Sequence, residues 1–295
     1  MSGRYQIGEN NYAAPPLASG LYVVATPIGN LRDITIRALE TLTACDVLAC
    51  EDTRMTRRLL ERYAISQKPI AYHEHNAEKA GADILAALEA GKSVALVSDA
   101  GTPLISDPGY RLVHAVREAG FDVFPIPGPS AFVAALSVAG LPTDDFRFCG
   151  FLPAKEKARA DRLGSLSDAP STLIFYESPA RLTKTLHTIK TVIGAGRKIT
   201  IARELTKRFE TIISGTANDL IAHFEPEPPK GEIVILIEPA IPSAPEYSEA
   251  ELDVLLADLA AQMPASKAAK SASEQTGLAK ADLYRRLLAM KEGDG

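Results

Sequence analysis

Three short segments place glycine and proline among small hydroxyl-bearing residues, each directly after an apolar, β-branched run. They are Thr26-Pro27-Ile28-Gly29-Asn30 after Leu21 to Ala25, Ser98-Asp99-Ala100-Gly101-Thr102-Pro103 after Val94 to Ser98, and Pro127-Gly128-Pro129-Ser130-Ala131 after Val123 to Ile126. Such residues let main-chain N–H and C=O groups approach a ligand closely. In open α/β sheets, ligands bind beyond the carboxyl ends of the strands. One such loop reads equally as an ordinary strand-to-helix turn. Three together, with Ser106-Asp107-Pro108 close behind, point to a pocket for adenosine or amino-acid groups held by main chain. Two later segments, Phe175-Tyr176-Glu177-Ser178-Pro179 and Ala202-Arg203-Glu204-Leu205-Thr206-Lys207, put ionisable groups at strand ends, where they face either a substrate across a cleft or each other as a structural Arg–Glu pair.

Other motifs carry less. Gly91-Lys92-Ser93 has Ala86 where a phosphate-binding loop needs glycine, and it lies between a helix and a strand, the reverse of the required order. No G-x-G-x-x-G follows a strand. His73 and His75 are two residues apart without further ligands at metal-binding spacing, so no metal is expected. Asp52 is placed to cap a helix bearing Arg54, Arg57, Arg58 and Arg62, which reads as a phosphate-gripping face or a solvated one. Near the end, Ser266 to Gln275 and Lys280 to Lys291 read as helix, turn, helix, with six basic residues against Glu274 and Asp282. That pattern fits a helix-turn-helix module or a packing appendage.

The elements that position these loops follow from hydrophobic periodicity. Short apolar strands alternate with helices of about ten residues from 20 to 140, which predicts a mostly parallel, helix-covered sheet. A boundary falls near 140–145, and residues 145–240 again read as α/β. A Pro/Ala linker (Pro239 to Pro245) leads to an all-helical segment, 246–295. Residues 1–19 read as a flexible leader without the features of a signal peptide.

The 295 residues, 46% hydrophobic and 23% charged, exclude a disordered chain, and a net charge of −5 excludes a uniformly basic nucleic-acid coat but not local basic patches. No apolar stretch reaches membrane-spanning length, and Cys45, Cys50 and Cys149 form no C-x-x-C, so reduced thiols in a cytoplasmic protein are expected.

Taken together, Thr26 to Leu31, Glu51 to Arg54, His73 to Asn76, Val97 to Gly109, Pro127 to Ala131, Gly150 to Pro153, Tyr176 to Pro179 and Ala202 to Lys207 resemble the bacterial 16S ribosomal RNA cytidine 2′-O-methyltransferases, within the tetrapyrrole-methylase-like superfamily. The resemblance spans about residues 20 to 240 and, more weakly, the helical tail. It implies two α/β domains of the class III S-adenosylmethionine-dependent type with a small helical C-terminal domain. It also implies S-adenosyl-L-methionine in the cleft, a homodimer, and the ribose of cytidine 1402 as target, in free 16S rRNA or the small ribosomal subunit. By the same resemblance Ile28, Gly101, Thr102, Pro103, Ile105, Pro129, Ser130, Ala131, Tyr176 and Gly231 would line the cofactor, with Thr102 where many relatives carry Asp.

A ribose hydroxyl is a weak acid, so an acceptor is expected at the cleft mouth, and strand-end position nominates Glu177 and Asp99, with Arg203 and Lys207 to stabilise developing negative charge. RNA contacts are expected from Arg54, Arg57, Arg58, Lys155, Arg159, Lys267 and Arg285. The rivals are a corrinoid or porphyrin methyltransferase of the same fold and a nucleic-acid-binding regulator acting through the tail.

Overall fold

The computed structural model describes residues 3–240 and 247–293. The chain divides into two compact units, Met1–Ala240 and Ile241–Gly295. From residue 241 to 245 the expected linker lies outside the described residues.

The expected flexible leader is a β-hairpin from residue 4 on. β1 (Arg4–Ile7) pairs antiparallel with β2 (Asn10–Ala13) around Gly8, whose φ is +60°. Tyr5 is buried in the core of the first domain, stacks on Tyr12 at 5.5 Å, and its neighbour Gln6 donates its N–H to the Tyr63 carbonyl at 2.8 Å. The composition of this stretch is loop-like, but one alternating tyrosine per strand is enough to dock so short a hairpin.

The first domain alternates as its periodicity requires: β3 (Gly20–Val24), α1 (Ile36–Ala44), β4 (Val47–Cys50), α2 (Thr53–Arg62), β5 (Ile70–Ala71), α3 (Ala77–Glu89), β6 (Ser93–Val97), α4 (Tyr110–Glu118), β7 (Val123–Ile126) and α5 (Ala131–Val138). The sheet is fully parallel in the order β5-β4-β6-β3-β7. Helices cover both faces, so β6 is buried at every residue, the pattern of a continuous apolar run. Parallel pairing brings the carboxyl ends of β3, β4, β6 and β7 to one edge of the sheet.

The second domain contains β8 (Phe146–Phe151), α6 (Glu156–Gly164), β9 (Thr172–Glu177), α7 (Pro179–Val192), β10 (Ile199–Arg203), β11 (Thr211–Gly215), α8 (Ala217–Phe224) and β12 (Ile233–Ile237). Its order is β11-β10-β12-β9-β8, and only β8 and β9 are parallel. Strand periodicity does not distinguish these pairings, because β12 is apolar on both faces whichever way its neighbours run. One face packs on α6, α7 and α8 through Phe175, Leu182, Leu186, Ile189, Ile201 and Ile235. The other face, with Ile174, Val234 and Leu236, packs on Ile28 and on Ala135 and Leu136 of α5. This second contact joins the two domains.

The second unit is a bundle of α9 (Glu249–Gln262), α10 (Ala265–Thr276) and α11 (Lys280–Gly293) around Leu252, Leu256, Ala268, Ala272, Leu283 and Leu287. α9 starts with a capping box between Ser248 and Glu251, and α10 ends at Gly277 with φ +72°. The sequence pattern shows the last two helices as a basic pair. α9 adds Glu249, Glu251, Asp253 and Asp258 to the same unit. No helix of the described residues is long and apolar enough to cross a membrane.

Candidate active site

The strand-end loops of the first sheet and the β9, β10 and β12 ends of the second enclose a cavity of about 380 Å³. From the first domain it is lined by Ile28, Gly101, Thr102, Ile105, Ser130 and Ala131, and from the second by Tyr176 and Gly231. Ala202 and Leu205, from the Ala202 to Lys207 segment, and Ile233 and Val234, not singled out from the sequence, form an apolar floor. Two residues expected to line it do not. Pro103 is buried in the body of its loop, and Pro129 acts through its carbonyl, which accepts the Thr102 hydroxyl at 3.1 Å.

The loops brace one another. Thr26 and Gly101 exchange main-chain hydrogen bonds at 2.8 and 3.0 Å, tying the β3 end to the β6 end. Gly101 has φ +79°, and a Cβ there would sit 3.4 Å from Ile28 Cγ2 at the cavity wall. Just beyond, Leu104 and Ser106 hold φ of +74° and +64°. Side-chain-bearing residues in this region cost of order 1–3 kcal/mol each, strain that clusters at ligand sites.

The strand-end charges are mostly engaged elsewhere. Glu177, expected together with Asp99 as a proton acceptor, has a wholly buried side chain. It accepts the Ser178 N–H at 2.8 Å and the Thr185 hydroxyl at 2.6 Å, and pairs with Arg181 at 3.1 Å. Glu177 lines the cavity, but those bonds engage both its oxygens with the start of α7, which supports a structural role. Arg203 is likewise a staple, donating to the Thr211 hydroxyl and to the Lys230 and Phe209 carbonyls. Asp99 is exposed, lies outside the cavity lining and accepts the Asp52 N–H at 2.9 Å, which ties β6 to β4.

Lys207 pairs with Glu204 at 2.8 Å and Glu232 at 3.0 Å, and its stem lies over Gly29 of the first domain, where a Cβ would collide with it. Burial opposes its charge, but the two carboxylates outweigh it and raise its pKa. Gly231, φ +95°, leaves the space that the Glu204 carboxylate fills.

Of the three acids that line the cavity, Glu177 and Glu232 are held in ion pairs with Arg181 and Lys207, and the third is Asp107. It is half-buried, and burial raises its pKa, helped by the Asp99 charge and opposed by a hydrogen bond with Ser98. Glu51 nearby is raised by burial and by the charges of Asp99 and Asp107. Tyr176 is also raised by burial, which keeps the phenol neutral. A signal for Asp107 was present: it belongs to the Ser-Asp-Pro segment that extends the second glycine-bearing loop.

Of the residues nominated for RNA, Arg57, Arg58, Lys155 and Lys267 are exposed. Arg54 is exposed but paired with Asp52 at 2.6 Å. Arg159 is only 4% exposed and donates to the Thr188 hydroxyl and the Ala154 carbonyl, so it is a core residue of α6. In the helical unit Arg285 lies 3.4 Å from Asp282, and Arg286 binds Asp253 at 2.6 Å, which offsets much of the basic pattern read from the last two helices.

Over residues 20–221 the chain matches the family described as Tetrapyrrole (Corrin/Porphyrin) Methylases, and over residues 246–291 the RsmI C-terminal HTH domain. A relative in Mesorhizobium japonicum named Ribosomal RNA small subunit methyltransferase I is 55% identical over 98% of this chain and 99% of its own. The chain belongs to that methyltransferase family. Family members of the same name in Erythrobacter litoralis and Escherichia coli O157:H7 are 49% and 48% identical, over 96% and 91% of this chain and 99% and 94% of theirs.

Among solved structures, the cobalamin biosynthetic enzyme cobalt precorrin-4 methyltransferase superposes with a TM-score of 0.56 at 18% identity, over 74% of this chain and 94% of that one. The methyltransferase CobJ gives 0.55 at 19% identity, over 75% and 95%. These two share the fold, and the family membership rests on the closer sequences.

If Glu177 is structural, Glu177→Ala leaves Arg181 without its buried partner. The expected loss is about 3–5 kcal/mol of unfolding free energy, measured by denaturant titration. A loss below about 1 kcal/mol would return Glu177 to the list of candidate acceptors.

Proposed function

We propose that this chain transfers a methyl group from S-adenosyl-L-methionine to the ribose 2′-oxygen of cytidine 1402 in 16S ribosomal RNA. The observation that carries the reading is the cavity itself, with an apolar floor on one side and the Asp107 carboxylate in its lining, in a chain 55% identical to a small-subunit rRNA methyltransferase.

The residues present suit the cofactor. Its volume falls in the range of ordinary ligand pockets. Ala202, Leu205, Ile233 and Val234 would receive an adenine face, Thr102 and Ser130 offer hydroxyls, and Gly101 leaves open the space that a Cβ would narrow. The Glu232 carboxylate suits the positive charge of the cofactor's amino group. When bound, the cofactor supplies a methyl group already activated on sulfur.

The chain has three tasks. The braced loops hold the reactants in line, which replaces a bimolecular encounter by a positioned one. The apolar floor reduces the water around the reactants. Asp107 accepts the proton of the ribose hydroxyl, and its raised pKa makes it a better base than an ordinary aspartate. Asp99, through Asp52, and Lys207, through Glu204 and Glu232, hold the frame in place.

The exposed arginines of α2 and Lys155 are the proposed phosphate contacts, in a protein otherwise net acidic. α5 supports the homodimer reading: Val133 and Val138 are about half exposed, and Phe146 on edge strand β8 is 43% exposed. The cytoplasm follows as the compartment where ribosomal RNA is modified.

Mass mapping of 16S rRNA from cells with and without the protein tests the reaction, and an unchanged cytidine 1402 ribose would refute it. Asp107→Asn is expected to lower kcat by about 10²–10⁴ while cofactor affinity, read by calorimetry, is retained. In the wild type, kcat/KM falls as pH drops through the raised Asp107 pKa, above the usual aspartate value of about 3.9, and this acid limb disappears in the variant. Full turnover by Asp107→Asn would rule the residue out. Affinity for the small subunit should fall steeply with salt, and a flat response would remove the α2 contacts. Sedimentation velocity should show a dimer, and a monomer at micromolar concentration would remove the α5 interface.

A further inference from the structure

Phe151 ends β8 at the rim of the cavity, and the residue is 59% exposed. Large aromatic rings left in water cost free energy unless a partner covers them. This ring is also held firmly. It meets Tyr176 edge-on at 5.5 Å, Tyr176 meets Phe148 at 4.9 Å, and Phe148 stacks on Phe132 at 4.8 Å.

The backbone is fixed on both sides of Phe151. Before it, the β8–β9 register shifts between Phe148 and Phe151, and Gly150 takes φ +66°, where a Cβ would sit 3.4 Å from the Ser106 hydroxyl oxygen. After it, Leu152 is buried, and Arg181 donates to the Leu152 and Pro153 carbonyls. Arg181 is itself held by the buried Glu177. The Glu177–Arg181 pair thus sets the strand end from which the ring projects.

We infer that Phe151 is the platform on which the unstacked pyrimidine of the target nucleotide lies. The inference rests on the RNA reading above. A ribose hydroxyl that reaches Asp107 must bring its own base to the cavity rim, because base and 2′-oxygen belong to one sugar. To enter the cavity, that nucleotide has to be splayed from its neighbours. Its base then needs a replacement for the lost stacking, and an aromatic face supplies it without requiring a particular hydrogen-bond pattern. The cofactor has the apolar floor formed by Ala202, Leu205, Ile233 and Val234, which leaves the rim ring for the RNA.

The experiment compares wild type with Phe151→Ala, Phe151→Leu and Phe151→Tyr. Four quantities are read: methyl transfer into small subunits lacking the modification, equilibrium binding to those subunits, cofactor affinity by calorimetry, and sedimentation. Phe151→Ala and Phe151→Leu are expected to lower kcat/KM about five- to a hundred-fold and to weaken subunit binding. Phe151→Tyr is expected to stay within about two-fold of wild type. Cofactor affinity and association state should be unchanged in all three.

A leucine variant as active as wild type would show that bulk rather than a π-face is needed and would overturn the proposal. Loss of cofactor affinity in step with kcat/KM would assign the ring to the cofactor, and a changed association state would assign it to a subunit interface. If the wild type itself transfers no methyl group to the subunit, the RNA reading fails, whatever Phe151 does.

Discussion

The packing of Ile28 and α5 onto one face of the second sheet is the contact on which the site depends. Ala135, Leu136, Ile174, Ala202, Val234 and Leu236 are nearly or fully removed from water there. Apolar burial of this kind is favourable but non-directional, so it does not by itself set the geometry. Direction comes from the loops that emerge beside it. Thr26 and Gly101 pair through their main chains, Thr102 reaches the Pro129 carbonyl, and Lys207 of the second domain rests on Gly29 of the first. The cavity is the space left where a parallel sheet and a largely antiparallel one meet at their strand ends.

The same region shows how charge is distributed around a reactive centre. Glu177, Arg203, Glu204 and Lys207 all stand at strand ends, and all are engaged in ion pairs or hydrogen bonds that hold the frame. A buried carboxylate that accepts a hydroxyl, an amide and a guanidinium is committed to structure. Asp107 differs, because burial and neighbouring negative charge disfavour its ionised form, and a carboxylate in that condition gains by taking up a proton. The strained turn at Leu104 and Ser106 immediately precedes it.

RNA recognition in a chain of net charge −5 must be local. The arginines of α2 remain open to solvent, although Arg54 pairs with Asp52, whereas Arg159 of α6 is spent on Thr188 and Arg286 of α11 on Asp253; Arg285, 3.4 Å from Asp282, stays exposed. Helical spacing of basic residues shows which could share a face. It does not show whether another helix has already covered that face with acids, as α9 does here.

Much was legible in the sequence because it is local. Apolar periodicity located β4 at Val47–Cys50 and β7 at Val123–Ile126, and the glycine and proline loops marked the strand ends where the cavity opens. The resemblance through Val97 to Gly109 pointed to the family. Partners distant in the chain decided the remainder. Glu177 reads as a strand-end acid until Thr185 and Arg181 of α7 enclose it, and Arg159 reads as a surface cation until α7 packs against it. The N-terminal hairpin becomes ordered because Tyr5 finds a core built by residues much further along. Residue type and spacing determine which groups stand at a strand end. Which way each side chain turns is set by the hydrogen-bond and packing partners that only the tertiary fold brings within reach.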